Sequence, residues 1–180
     1  MRNSIKRTLL VIIEKDPGIL VRIIGLMTRR RFNLENLVIA DCENKNYSRL
    51  IIIIKDEQQG SDQAILQLIK QLQKLINIIN VQDISFLPTI ERELLLVKLR
   101  VDPHQQNELL KLVPLYGLTI VDINSYTISL EFTGESKQVS NVEKFLKTYR
   151  ILELIKTGPI GLVQDSQISN IGDHKSYFLT

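Results

Sequence analysis

Apolar and polar positions change period repeatedly along this chain, and each change marks an element. Ile5 to Ile13 is a short run of branched apolar residues, the signature of a buried strand. After Lys15-Asp16-Pro17-Gly18 the period becomes helical, with Leu20, Ile23, Ile24 and Met27 on one face and Ile19 and Leu26 at its edges. Asp16 is expected to cap this helix and Pro17 to occupy its first position. Arg29, Arg30 and Arg31 then fall in the last turn, where cations suit the macrodipole. Strands follow at Glu35 to Cys42 and Tyr47 to Lys55, joined by a polar turn over Glu43 to Asn46. Ser61 is expected to open a second helix with apolar positions Ile65, Leu68, Ile69, Leu72, Leu75 and Ile76. A strand from Asn80 to Leu87 stops at Pro88, completing the order βαββαβ.

The second half repeats that order. Glu93 to Val101 predicts a strand, and Asp102-Pro103 caps a helix reaching Val113. Leu118 to Ile123 and Tyr126 to Phe132 predict a hairpin through Asn124-Ser125. Glu135 to Tyr149 is helical, and Ile151 to Ile155 and Ile160 to Val163 are strand-like. The fold class is therefore α+β, two consecutive ferredoxin-like βαββαβ domains over 4–88 and 89–164. A polar, aperiodic tail over 165–180 is expected to be loose. A four-stranded sheet with helices on one face leaves its other face or an edge to be covered, so self-association is expected.

Composition narrows the function. Among 180 residues, 44% are hydrophobic and 24% charged, ordinary for a globular protein. The net charge of +3 is too small to argue for nucleic acid. RNA-recognition modules share the βαββαβ order but stack bases on aromatics of the central strands, where this chain offers only Tyr47 among Ile and Leu. One cysteine and two histidines cannot complete a four-ligand zinc site, so no metal is expected. Cys42 reads as a small filler on a strand. No apolar run approaches a membrane span. No phosphate-binding glycine loop, HExxH or GxSxG occurs, and neither His104 nor His174 has nucleophile or acid partners, so no catalytic residue is assigned. The early start of the first strand is expected to leave no room for a targeting peptide. Together with the abundance of Ile, about one residue in seven, this suggests a bacterial cytoplasm or a plastid stroma.

The junction Lys15-Asp16-Pro17-Gly18 has two readings. It can be a plain strand-to-helix turn. It can also be an anion site, because a helix N-terminus presents unpaired N–H groups and Gly18 lets a guest approach the backbone. One dipole-aided contact contributes roughly 0.3–2 kcal/mol, whereas micromolar to millimolar binding needs about 4–8 kcal/mol. An exposed loop alone does not hold an amino acid; a subunit interface closing over it can.

The run beginning at Arg7, RTLLVIIEKDPGILVRIIGLMTRRRFNLENLVIADCENKNYSRL, resembles the N-terminal ACT domain of acetolactate synthase regulatory (small) subunits. The run IERELLLVKL from Ile90 resembles that family's interdomain segment, and YTISLEFTG with ILELIKTGPIGLVQ resembles its C-terminal half. The similarity spans about residues 4 to 164.

The resemblance implies a non-catalytic regulatory subunit that activates a catalytic (large) subunit and confers feedback inhibition by valine, leucine or isoleucine. It implies no cofactor on this chain and a partner enzyme using thiamine diphosphate, Mg and FAD. It also implies an effector held between ACT domains of a homodimer, with Lys15, Asp16, Pro17, Gly18, Ile19, Leu20 and Asn33 as site residues. Gly18 would offer its amide to the effector carboxylate, Asn33 a polar contact, and Ile19 and Leu20 an apolar wall. Two positions depart from the family pattern. Lys15 stands where Asn or Asp is common, and Arg31 where Gly is usual. A Lys there is expected to repel the effector's ammonium. The alternative is a free-standing amino-acid sensor, which co-purification with a thiamine-dependent protein would exclude.

Overall fold

The computed structural model describes residues 5–42, 44–56 and 62–164. The elements run β1 (Ile5–Glu14), α1 (Ile19–Arg29), β2 (Asn33–Asp41), β3 (Tyr47–Asp56), α2 (Asp62–Leu72) and β4 (Ile78–Asp83) in the first half. The second half holds β5 (Thr89–Arg100), α3 (Pro103–Leu112), β6 (Thr119–Ile123), β7 (Thr127–Gly134), α4 (Ser136–Leu146), β8 (Arg150–Lys156) and β9 (Ile160–Val163). By contacts the chain divides into two units, one reaching Ile90 and including residues from Leu162, the other Glu91–Gly161. The expected helix start at Ser61 and the tail over 165–180 lie outside the described residues.

The first unit is an antiparallel sheet in the order β2-β3-β1-β4. Leu9, Val11 and Ile13 of β1 alternate toward α1 and α2, with Leu50, Ile52 and Ile54 of β3 beside them. Ile19, Ile23 and Met27 of α1 and Ile65, Leu68 and Leu72 of α2 complete this core. On the opposite face Ile12, Ile51 and Ile53 are buried as well, so β3 is apolar throughout its middle. Arg7 is buried on the helix side of β1. It pairs with Asp62 at the start of α2, lies 3.6 Å from Asp83 at the end of β4, and carries the Phe86 ring 4.3 Å from its guanidinium carbon.

Helix α1 ends in a way the sequence pattern did not indicate. Only Arg29 is helical; Arg30 is the C-cap and Arg31 adopts φ 58°. The Phe32 N–H donates to Met27 O (3.1 Å) and the Arg31 N–H to Thr28 O (3.0 Å). These are the two bonds of a Schellman motif, and its usual apolar contact is present because Phe32 packs on the core that contains Met27. Helix α2 also stops sooner than expected, at Leu72. The Leu75 N–H bonds Leu72 O in a following turn, which leaves Ile76 90% exposed instead of on the helix face. Strand β4 is shifted to Ile78–Asp83, since residues 84–87 form a turn closed by the Leu87 N–H on Ile84 O.

The second unit repeats the topology strand for strand, in the order β6-β7-β5-β8, with β9 also paired to β5. Leu95, Val97 and Leu99 alternate inward against Ile128, Leu130 and Phe132 of β7 and against the apolar faces of α3 and α4. Asp102 caps α3 as expected. It accepts the Gln105 N–H at 2.8 Å, and Gln105 returns a bond to the Asp102 N–H at 3.3 Å. On α4, Glu143 receives Lys147 and Lys156 at 2.8 Å each, and these bonds pull its carboxyl down to about 2.

Candidate functional site at the first strand-to-helix loop

Strand β1 delivers the chain to a loop fastened on both sides. The Glu14 N–H donates to Asn77 O (2.9 Å) ahead of β4, and the Lys15 N–H to Asn46 O (3.0 Å) in the β2–β3 hairpin. Asp16 to Ile19 then form a tight turn, closed by the Ile19 N–H on Asp16 O at 3.1 Å. Pro17 fits the second position of that turn, and Gly18, at φ −87° and ψ −11°, fits the third. Asp16 and Pro17 therefore precede α1 instead of capping and starting it, and Gly18 is the N-cap, without a side-chain cap bond.

The conformation of Gly18 is one that any residue adopts. A Cβ built on it would touch only the flexible end of Arg22, no closer than 3.4 Å. Ser, Asp or Asn at an N-cap satisfies a helix better than Gly by a few tenths of a kcal/mol. Nothing in the chain's own packing or backbone conformation calls for glycine here.

Charges surround the loop in pairs. The Lys15 Nζ lies 2.9 Å from Asp41 Oδ1 at the end of β2, and that ammonium holds the Asp41 carboxyl below its ordinary range. Lys15 and Asp41 thus form a solvent-exposed ion pair beside the loop. Asp16 accepts the Gly18 N–H at 3.3 Å and pairs with Arg22 at 3.3 Å, while Arg22 donates to Asn77 Oδ1 at 3.3 Å. Arg22 and Asn77 belong to the loop cluster although sequence patterning did not single them out. The contact depends on bringing the entry to β4 beside the end of β1, which only the sheet order reveals. Cys42 sits just past β2, half-buried, and burial pushes its thiol upward.

The structure distributes the sequence-derived site residues unevenly. Lys15, Asp16, Pro17 and Gly18 lie together. Ile19 is 1% exposed and belongs to the core, so it is not an available wall; Leu20 is half-buried against the same core. The accessible apolar side chains on α1 are Val21 and Ile24, at 74% and 40% exposure. Asn33 opens β2 opposite Lys55, beyond the far end of α1. An 11-residue helix is about 16 Å long, so a single chain does not bring Asn33 to Gly18.

Among the described residues no helix is long and apolar enough to cross a membrane, and no group of three or more His, Cys, Asp or Glu is placed to hold a metal ion.

Two ferredoxin-like units, the first carrying a glycine-opened helix and a polar loop cluster, define a two-module ACT-type protein. Residues 9–80 match the AHAS small subunit-like ACT domain, and residues 92–165 match the small subunit of acetolactate synthase. A probable acetolactate synthase small subunit from Archaeoglobus fulgidus is 35% identical over 162 residues, covering 90% of this chain and 99% of that protein. The chloroplastic acetolactate synthase small subunit 2 of Arabidopsis thaliana is 32% identical over 91% of this chain, which spans 33% of that longer protein. The crystal structure of the acetolactate synthase small subunit from Thermotoga maritima superimposes with a TM-score of 0.79 at 27% identity, over 89% of this chain and 98% of that one. The chain belongs to the acetolactate synthase small-subunit family.

Proposed function

We propose that this chain regulates an acetolactate synthase catalytic subunit by holding a branched-chain amino acid at the Lys15–Gly18 loop, between two copies of its first unit. The observation that carries the reading is Gly18, an N-cap glycine with no conformational or packing cause of its own. A carboxylate against that bare first turn is favoured by the helix dipole.

The position of Asn33 supports the two-copy arrangement. Strand β2 is an edge of its sheet, and an exposed edge favours pairing. Two β2 strands paired antiparallel about Leu37, the midpoint of Asn33–Asp41, set Asn33 of each copy beside Asp41 of the other. Asp41 already contacts Lys15. The two groups that one chain keeps apart are thereby reunited across the dimer, and Val21, Ile24 and Ile39, all exposed, gain cover. In this reading the chain is non-catalytic. The thiamine-diphosphate chemistry, with Mg and FAD, belongs to the large subunit, in a bacterial cytoplasm or a plastid stroma. Effector occupancy would shift a conformational equilibrium felt by that subunit, with coupling of typically 1–3 kcal/mol.

The test is calorimetric titration of the protein with valine, leucine and isoleucine, alongside inhibition of the reconstituted enzyme. Gly18→Asp supplies a better helix cap while placing a carboxylate where the effector's would sit. It should fold at least as well as wild type, still activate the catalytic subunit, and lose effector binding and inhibition. Equal effector affinity in wild type and Gly18→Asp overturns the site.

A further inference from the structure

The second unit carries a depression of about 210 Å³ on the sheet face turned away from α3 and α4. Strand alternation explains its lining. Leu95, Val97 and Leu99 point inward, so Leu96 and Lys98 point out. The register then sets Glu153 of β8 and Ser129 of β7 directly beside Lys98, on either side, and sets Ile155 beside Leu96. Val121 enters from β6 at the irregularity between Ile120 and Asp122. Leu96, Val121 and Ile155 remain 38%, 59% and 54% exposed.

The depression holds one cation, Lys98, and one anion, Glu153. Opposite charges facing each other on neighbouring strands attract by roughly 0.2–1 kcal/mol. Lys98 and Glu153 face each other in register, yet among the described residues neither takes part in an ion pair. A lone cation, a lone anion, a hydroxyl and three aliphatic side chains thus line one hollow, smaller than the ~300–1,000 Å³ that drug-sized ligands occupy.

We propose that this hollow is a second small-molecule site, separate from the Lys15–Gly18 loop, for a zwitterionic aliphatic α-amino acid. Its carboxylate meets Lys98, its ammonium meets Glu153, with Ser129 as a further polar contact, and its side chain covers Leu96, Val121 and Ile155. A simple carboxylate would leave Glu153 unpaired, and a simple amine would leave Lys98 unpaired. Because Leu96, Val121 and Ile155 stay in contact with solvent, affinity on the order of millimolar is expected.

The test follows methyl resonances of the full-length protein, in the Gly18→Asp background so that the loop site contributes nothing. Leucine should shift the methyl signals of Leu96, Val121 and Ile155 saturably. Isocaproate and isoamylamine, each lacking one of leucine's charges, should bind at least about tenfold more weakly, as should leucine to Lys98→Met or Glu153→Gln. Both substitutions are on exposed side chains and leave the core intact. Absence of saturable shifts overturns the proposal, as does equal binding by the singly charged analogues. Methyl groups that ignore leucine but respond to added catalytic subunit would show instead that this face is a protein interface. Because Leu96, Val121 and Ile155 line the hollow in the second unit and the Lys15–Gly18 loop lies in the first, their methyl signals test this proposal whether or not the effector reading given above holds.

Discussion

If the effector site takes Gly18 from one copy and Asn33 from the other, two defective chains should repair each other. Gly18→Asp disables the loop of its own chain but carries an intact Asn33. Asn33→Ala keeps an intact loop but offers its partner no polar contact. A mixed dimer then has one site with both residues wild type and one site with neither. Random assortment of equal amounts makes about half of the dimers mixed, so about a quarter of all sites should recover wild-type affinity. Neither variant touches the core: Gly18 is an N-cap with room for a side chain, and Asn33 is an exposed strand end. The assay is valine titration by calorimetry on each variant alone and on the pair after co-refolding, reading stoichiometry rather than heat. Within one chain an 11-residue helix, about 16 Å long, separates the two residues. If the co-refolded pair binds no more effector than the better variant alone, both residues act within one chain or Asn33 is not part of the site.

Two further outcomes follow from the fold. Arg31 sits at φ 58°, where a side chain costs about 1–2 kcal/mol, against roughly 0.5–1 kcal/mol for the extra freedom glycine gives the unfolded chain. Arg31→Gly should therefore stabilise by about 0.5–1 kcal/mol, while Arg29→Gly, in the last helical position, should destabilise by about 1 kcal/mol; urea midpoints moving in the same direction for both would refute the Schellman assignment. Glu143, held at about 2 in the folded protein against an ordinary 4.5, contributes stability that is full above the ordinary value and lost as pH falls through about 2. The contribution is of order 1 kcal/mol, since the two lysines are partly solvated. The stability gap between wild type and Glu143→Gln should be constant near neutrality and shrink below about pH 4; a gap that stays level down to about pH 2.5 would refute it.

The element order was legible because the apolar patterns change sharply: short unbroken apolar runs in β1 and β5, helical spacing at Ile19, Ile23 and Met27. The ends of elements were not. Ile76 continues the helical spacing of α2, yet the helix stops at Leu72 because a turn accepts Leu75, and spacing alone carries no information about that hydrogen bond. Asp16-Pro17 reads equally as a helix start or as the turn before one; the backbone chooses the turn, closed by the Ile19 N–H. The left-handed backbone at Arg31, which would suit glycine, is likewise not announced by an arginine in the sequence. The loop of the site was visible in one stretch of chain, but Arg22–Asn77 and Lys15–Asp41 join residues far apart in sequence. The separation of Asn33 from Gly18, by contrast, follows from the helical period between them, which already implies a rod about 16 Å long.

The isoleucine run of β3 has a bearing on how the chain reaches its native state. Leu50 to Ile54 are five consecutive aliphatic residues, none more than 4% exposed. A strand of that kind, uncharged and free of proline, templates cross-β stacking whenever it lies bare. The chain brackets it with Arg49 and Lys55 and joins it to β2 by a short hairpin, so one flank is shielded by its sequence neighbour. The other flank waits for β1, already synthesised upstream. The order of synthesis therefore supplies both protective strands no later than the hazardous one, and a permuted chain that made β1 last would be expected to aggregate.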